Sequence, residues 1–316
     1  MDRRRILTSD EAMSLEELPR SIAILGSGAV GVEFASIFRQ FGSDVTLIEV
    51  QPRLVPSEDA AVSTELERVF KKRGIHVRTS TRMLSATADE RGVTVELGVA
   101  RGEGATLAVD ILLIAVGRGA VTDGLGVEEA KLTLDRGFIA VDDHYRTSVA
   151  GIAAVGDVIS IGGRHHPQLA HLASAEGILA AERIAGREIP LLNYDHVPAC
   201  TFCDPEIGSV GLTEAEAAAR GYDVKVGTFP FSALGRARIA GDTEGFVKVV
   251  GEAEYDQLLG VHIIGPRATD LIGEAAAALR LESTVEELIR TIHAHPTMSE
   301  AIGEAALDVS GRGINI

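Results

Sequence analysis

The chain has no tryptophan, only 13 phenylalanines and tyrosines together, ten prolines and two cysteines in 316 residues. Two cysteines cannot build a disulfide framework of the kind that stabilises small secreted domains. The start, MDRRRILTSDEAM, has no apolar core of a secretory signal, so the chain is expected to be cytoplasmic. No apolar run nears the roughly 18 residues that a membrane span needs; even ILLIAVG stops at Gly117 and Arg118. Basic charge is also short: 30 Lys and Arg stand against 46 Asp and Glu, a net charge of -16. Such a surface repels phosphate backbones, which argues against nucleic-acid binding. What is abundant is apolar residues, 46%, and glycine, 34 residues, the composition of a globular chain with many tight turns.

The length suits two compact domains or one large α/β unit. Ser21 to Leu25 is a short apolar run followed by Gly26, Gly28 and Gly31, then by apolar residues at helical spacing to Phe41. Gly42 and Ser43 break that helix, and Val45 to Ile48 forms a second strand ending on Glu49, which completes a βαβ unit. A helix from Glu58 to Lys72 and a strand from Ile75 to Arg78 continue the alternation. Segments 84–87 and 93–97 then predict an antiparallel hairpin, inserted before the buried strand Ile111 to Val116 so that the sheet becomes mixed. Beyond Gly119, strands are expected at Gly137 to Val141 and Gly151 to Val155, and a long Ala-rich helix from Leu169 to Ile184. Further on, Thr201 to Leu212, Asp223 to Phe231, Gly245 to Val250 and Leu258 to Ile264 read as strands. Among them lies a helix opened by the T-x-x-E box of Thr213 and Glu216; later helices are expected at Thr269 to Leu281 and, opened by Ser283 and Glu286, at Ser283 to Ile292. The fold class that follows is α/β: a Rossmann-like nucleotide-binding domain over 1–118, a central segment over 119–190 and an α+β domain over 191–316.

In a dinucleotide fold the first glycine permits the tight turn, the second lets backbone approach the pyrophosphate, and the third lets helix and strand pack closely. Gly26, Gly28 and Gly31 occupy those places. The helix N-terminus supplies unpaired N–H groups and partial positive charge, a local anion site on an acidic protein. Glu49 lies 18 residues past Gly31, where a carboxylate can accept both ribose hydroxyls, so NAD is the expected cofactor. A 2'-phosphate would face that carboxylate with only Arg53 to compensate.

The segments LPRSIAILGSGAVGVEFA, LIAVGR, GIAAVGD, QLAHLASAEG, DPEIGSVGLTEAEA, GVHIIGP and HAHPTMSEA occur in the order found in the flavin-dependent pyridine nucleotide-disulfide oxidoreductases, and the chain resembles the dihydrolipoamide dehydrogenase branch of that family. The resemblance implies that Gly156 and Asp157 meet the ribityl chain of FAD, and that Leu169, Ala170 and His171 face the flavin pyrimidine ring. It also places Gly117 beside the nicotinamide nucleotide and Glu33 near nicotinamide and flavin. His295 becomes the expected base and Glu300 its orienter, a carboxylate that fixes the imidazole tautomer and raises the basicity of the other ring nitrogen; His293 falls outside that pair. The tail is implied to be a dimerisation domain, so a homodimer with an apolar interface built after about Asn193 is expected, together with a lipoyl-bearing acyltransferase of a 2-oxo acid dehydrogenase complex as partner.

The family's own flavin glycine turn and redox cysteine pair have no counterpart here, so the chain is expected to be a partial one, binding NAD without completing the cycle alone. Cys200 and Cys203 fall on an expected strand, which would hold their Cα atoms about 10 Å apart, beyond the roughly 7 Å a disulfide allows. His196 with these cysteines, and the cluster His165, His166 and His171, are read as strand, loop and cap residues rather than metal ligands. The competing reading is a non-catalytic NAD-binding and dimerisation module, or another disulfide reductase of the family.

Overall fold

In a computed structural model of the chain, which describes residues 2–99, 104–163 and 166–315, two compact units form: residues 1–116 with 198–316, and residues 117–197. The first unit begins with β1 (Ile6–Leu7), α1 (Ser9–Ala12), β2 (Ser21–Leu25), α2 (Ala29–Gln40), β3 (Asp44–Ile48), α3 (Ala60–Lys72) and β4 (His76–Arg78). It continues through β5 (Thr81–Asp89), β6 (Gly92–Val99), β7 (Ala105–Val109) and β8 (Ile111–Ile114). Strands β1, β8, β2, β3 and β4 form one sheet in that order, with every pairing parallel. Parallel strands buried on both faces need continuous apolar runs, and SIAIL and DVTLI supply them. One face packs Ile22 and Ile24 against Val32, Ala35 and Phe38 of α2 and Leu66 and Phe70 of α3. On the opposite face Ala23, Ile48 and Leu112 meet Val93, Val95 and Leu97 of β6.

That second contact corrects the expectation of a mixed sheet. The hairpin forms, but with β7 it makes a separate three-stranded antiparallel sheet. The outer positions of the parallel sheet are already taken by β1 and β4, so the buried stripe of β6 can be covered only face to face.

The second unit carries β9 (Leu134–Asp135), β10 (Phe138–Val141), β11 (Ile159–Ile161) and α4 (Ala170–Ile184). The strand expected at Gly151 to Val155 is absent. Both flanking glycines have positive φ, +85° at Gly151 and +78° at Gly156, and only Ala153 makes a bridge, to Arg146. Gly156–Val158 is a 3₁₀ turn, and the strand that pairs with β10 begins after it. Asp157 therefore precedes a strand instead of ending one.

The chain then re-enters the first unit with β12 (Ala199–Thr201), β13 (Ile207–Gly211), α5 (Glu214–Ala219), β14 (Val224–Pro230), α6 (Gly235–Ala240), β15 (Phe246–Glu252) and β16 (Leu258–Ile264). Helices α7 (Ala268–Arg280), α8 (Val285–Arg290) and α9 (Glu300–Val309) complete it. The antiparallel sheet order is β12-β13-β16-β15-β14. Its Val247, Val249, Val261 and Ile263 are buried against Ile272 of α7, Leu288 of α8 and Ile302 of α9. Ile207 and Ile264 point the other way and join the core of the nucleotide-binding half.

Two further expectations need correction. The run Thr201 to Leu212 is not one strand: residues 202–206 separate β12 from β13, because Pro205 has no N–H for a ladder and the acids beside it are held by other elements, Asp204 by Arg73 and Glu206 by Thr269. Helix α8 is shorter than the expected Ser283 to Ile292, and its cap lies one residue later, at Thr284 rather than Ser283; Thr284 Oγ1 accepts from Glu287 N at 3.3 Å. The Thr213–Glu216 box closes as expected, with Glu216 N donating to Thr213 Oγ1 at 3.2 Å and Thr213 N donating to Glu216 Oε2 at 3.0 Å.

At the junction of the two sheets within the first unit, Ser209, His262 and Lys248 stand in register on adjacent strands. Lys248 Nζ donates to Asp59 Oδ1 at 2.8 Å and to Glu214 Oε2 at 2.7 Å. Asp59 also caps α3 by accepting from Ala61 N. This ion-paired contact between the two halves left no motif in the sequence, since its members are far apart in the chain.

Candidate functional site

Strand β2 ends in the glycine turn. Gly26 has φ +100°, and a Cβ there would meet Ala115 O at 2.4 Å; at Gly31 a Cβ would meet Gly26 O at 2.0 Å. Both positions are closed to side chains by the protein itself. Gly28 differs: it is the N-cap of α2, and a Cβ would meet nothing within 4 Å. Its bareness serves no internal packing and leaves backbone open to approach from outside, beside first-turn amides that have no helical acceptor. The three glycines thus divide as a dinucleotide turn requires, and the residues present fit NAD.

Glu49 is 6% exposed and sits beside this turn. Its Oε2 accepts from Ser27 N and Ser27 Oγ, both at 2.8 Å, and its Oε1 accepts from Gln51 N at 2.8 Å. Besides any role toward ribose, the carboxylate fixes the glycine turn to the end of β3, a function that spacing alone did not reveal. Arg53, the cation that would have to compensate a 2'-phosphate, donates one of its five N–H groups to Pro56 O at 2.6 Å. Glu33, on the first turns of α2, accepts from Phe202 N at 2.8 Å. It joins α2 to the turn after β12. Gly117, at φ +127°, follows β8, with open space where a side chain would be.

In the second unit Gly156 lies against α4, where a Cβ would come within 3.0 Å of the Ala173 methyl. Its N–H donates to Glu176 Oε2 at 2.7 Å. Glu176 is fully buried, and its Oε1 meets His166 Nε2 at 2.9 Å and accepts from Tyr194 Oη at 2.6 Å. Burial opposes ionisation of Glu176, but the hydrogen bonds from His166, Tyr194 and Gly156 prevail and hold it below the usual carboxylate range. Burial and the same carboxylate push the Tyr194 phenol well above its ordinary value. His166 Nδ1 in turn accepts from Gln168 N, and Gln168 Nε2 donates to Asp157 O at 3.3 Å. The network links the turn carrying the exposed Asp157 to Leu169, the N-cap of α4, and to exposed Ala170 and His171 on its first turn. An exposed carboxylate next to a helix N-terminus fits part of a flavin-binding surface. Glu176 and Tyr194 were not singled out from sequence, and His166 was read only as a loop residue; no local spacing marks three residues gathered from a loop, a helix and a later turn. His165 lies outside the described residues.

Helix α9 begins with Glu300. Its Oε1 meets His295 Nδ1 at 2.8 Å, and its Oε2 accepts from Thr297 N at 2.8 Å. Partial burial would raise the Glu300 pKa, but the hydrogen bonds from His295 and Thr297 and the charge of the imidazole lower it. The structure therefore brings the expected pair together, with His295 78% exposed. Donating Nδ1–H to the carboxylate leaves Nε2 as the acceptor of the neutral ring. Ser299 is the N-cap, without a side-chain cap bond.

Cys200 lies on β12, but the intervening turn removes Cys203 from that strand; both are free thiols. Burial pushes both upward in pKa, Cys203 more strongly. Among the described residues no group of three or more His, Cys, Asp or Glu could hold a metal ion. Nor, among them, is any helix long and apolar enough to cross a membrane.

Residues 1–177 match the family model described as pyridine nucleotide-disulphide oxidoreductase, and residues 197–306 match the dimerisation domain of the same family. The chain is 44% identical over its full length to a dihydrolipoyl dehydrogenase of Bacillus subtilis, covering 66% of that protein. It is also 44% identical over 98% of its length to one of Thermus scotoductus, again covering 66%. It thus spans about two thirds of the length of these curated relatives. Among solved structures, LpdA of Mycobacterium tuberculosis superposes with a TM-score of 0.87 at 31% identity, covering 97% of this chain and 65% of that one. A Cu(II) complex of the HOCl-induced flavoprotein disulfide reductase RclA of Escherichia coli gives 0.87 at 30%, covering 96% and 67%. With a glycine turn that fits a pyridine nucleotide, a helix terminus that fits a flavin, and both family models matched in order, the chain belongs to the pyridine nucleotide-disulphide oxidoreductase family.

Proposed function

We propose that this chain provides the NAD-binding, flavin-contacting and dimerisation parts of a dihydrolipoyl dehydrogenase, with the parts bounded near 1–118, 119–190 and 191–316. The turn of Gly26, Gly28 and Gly31 with the first amides of α2 holds the pyrophosphate of NAD, and Glu49 receives the adenosine ribose hydroxyls. Gly117 and Glu33 border the nicotinamide end. Gly156 and Asp157 meet the ribityl chain of FAD, while Leu169, Ala170 and His171 place the positive end of α4 under its pyrimidine ring. When bound, FAD and NAD supply two-electron transfer between thiols and nicotinamide. The chain's own chemical contribution is proton handling. Nε2 of His295 takes the proton of a dihydrolipoyl thiol, whose pKa near roughly 8.5 exceeds that of a free imidazole. Glu300 holds Nδ1–H and stabilises the cation that results. The match to the dimerisation-domain model supports assembly as a homodimer; the cytoplasm as location and a lipoyl-bearing acyltransferase as partner complete the proposal.

The observation that carries this reading is the 2.8 Å contact between His295 and Glu300 in a chain 44% identical, over its full length, to a dihydrolipoyl dehydrogenase. The test combines the chain with the part of the Bacillus subtilis relative that it does not cover and follows NAD-linked oxidation of dihydrolipoamide. His295→Gln should cut turnover by about 10²–10⁴-fold while NADH still binds. Turnover that survives His295→Gln would remove the proposed base. Cys203 is buried and lies outside β12, which carries Cys200; this favours a second reading of the chain alone, as an NAD-binding and dimerisation module without dithiol exchange, and its sign would be NADH binding with no flavin absorbance.

A further inference from the structure

Segment 291–299, between α8 and α9, carries His295. A second histidine–carboxylate pair lies on the same segment: His293 Nε2 meets Glu274 Oε1 of α7 at 2.7 Å, with only 10% of the imidazole exposed. The other edge of that ring lies over the first turn of α9. A Cβ added at Gly303 would sit 3.0 Å from His293 Nδ1 and 3.1 Å from Cε1. Gly303 is a helical residue with no positive φ, so no backbone conformation calls for glycine there. Glycine within a helix costs about 1 kcal/mol relative to alanine, and what that cost admits here is the imidazole.

We propose that His293 is a positioning residue for the His295–Glu300 pair: wedged between Glu274 of α7 and the notch at Gly303 of α9, its ring fixes where the segment bearing His295 crosses the first turn of α9. The proposal rests on the reading of His295 and Glu300 given above. The chain is short on this path, since only one residue lies between His293 and His295 and only two lie between Glu300 and Gly303. The Glu274 hydrogen bond, acting against burial, also raises the pKa of the His293 ring, and the Glu300 charge adds to this. The titratable groups around the ring are thus Glu274 from α7 and Glu300 from α9.

The test reads the His295–Glu300 hydrogen bond by 1H–15N NMR of the His295 ring in the full chain, at a pH where the ring is neutral. A ring held on Glu300 keeps the Nδ1–H tautomer, and Glu300→Ala should return it to a mixture of tautomers. His293→Ala should move at least half of the His295 ring population away from the Nδ1–H tautomer although Glu300 is intact. Gly303→Ala provides a second variant that leaves His293 in place: it should improve helix propensity yet shift the His295 tautomer in the same direction by displacing the His293 ring. An unchanged His295 tautomer in both His293→Ala and Gly303→Ala would overturn the positioning role alone. No preference for the Nδ1–H tautomer in the native chain would overturn the His295–Glu300 pair and this proposal with it.

Discussion

Glu49 offers the sharpest test of the nucleotide site, because the structure gives it one duty, bracing the Ser27 turn, the proposed function gives it a second, toward ribose, and substitutions can separate the two. It is nearly buried and receives three hydrogen bonds, two from Ser27 and one from Gln51 N. Glu49→Gln preserves shape but replaces one acceptor oxygen by a donor, so either the Ser27 group or Gln51 N faces a donor. Leaving such a buried group unsatisfied costs about 1–3 kcal/mol, which chemical denaturation will register. Toward NADH the loss is a charge-assisted bond to ribose, about 1.5–3 kcal/mol, or roughly 10- to 150-fold in Kd. Ser27→Ala supplies the contrast. It withdraws one donor from Oε2, costing about 1 kcal/mol of stability, and leaves the carboxylate able to accept from ribose, so NADH affinity should hold within a few-fold. Isothermal calorimetry with NADH on the native chain and the three variants Glu49→Gln, Glu49→Ala and Ser27→Ala decides the matter. Unchanged Kd in both Glu49 variants would refute the ribose assignment, and the NAD preference argued from it would fall too.

Further expectations follow from the same geometry. Gly28→Ala meets no atom of the protein, so it should cost less than about 1 kcal/mol of stability, as a cap change, while greatly weakening NADH binding; Gly31→Ala should damage both, and equal stability losses in denaturant melts would contradict the division of roles. Lys248→Met should destabilise by roughly 3–5 kcal/mol, because Asp59 would stay buried without its cation. Burial alone would raise Asp59, but its bonds to Lys248 and Ala61 N hold its pKa below the usual value. Its stabilisation is therefore present above the ordinary carboxylate range and lost as pH falls through the depressed pKa; Asp59→Asn, which keeps the helix cap, should flatten that acid limb of stability. Glu176→Ala should leave Gly156 N–H, the Tyr194 hydroxyl and the His166 ring without their acceptor, costing about 3 kcal/mol or more, and hydrogen exchange at the Gly156 amide should accelerate; an unchanged exchange rate would show that the network does not hold the Asp157 turn.

Local chemistry was enough to place the glycine turn, helices α2, α3, α4 and α7, and the T-x-x-E box at α5, because each is written in neighbouring residues: glycines at fixed intervals, apolar residues at helical spacing, a hydroxyl three positions before a glutamate. His295 and Glu300, five positions apart around a proline, were named from the family resemblance, since that spacing by itself does not single out a base and its orienter. Strand boundaries in glycine-rich stretches were not legible locally. Ile152 to Val155 is as apolar as a strand, yet positive φ at Gly151 and Gly156 closes it off from a sheet, and pairing partners, not composition, make a strand. Which sheet the hairpin of β5 and β6 belongs to was likewise set by the available uncovered face, a property of the assembled layers. The tertiary structure alone decided that Glu49 also braces the Ser27 turn, that Glu176 gathers His166 and Tyr194, that Lys248 meets Asp59 across 189 residues, and that Gly303 makes room for His293. Periodicity and caps act over a few residues of chain, whereas a buried charge finds its partner through space, and only the completed packing says which distant residue that is.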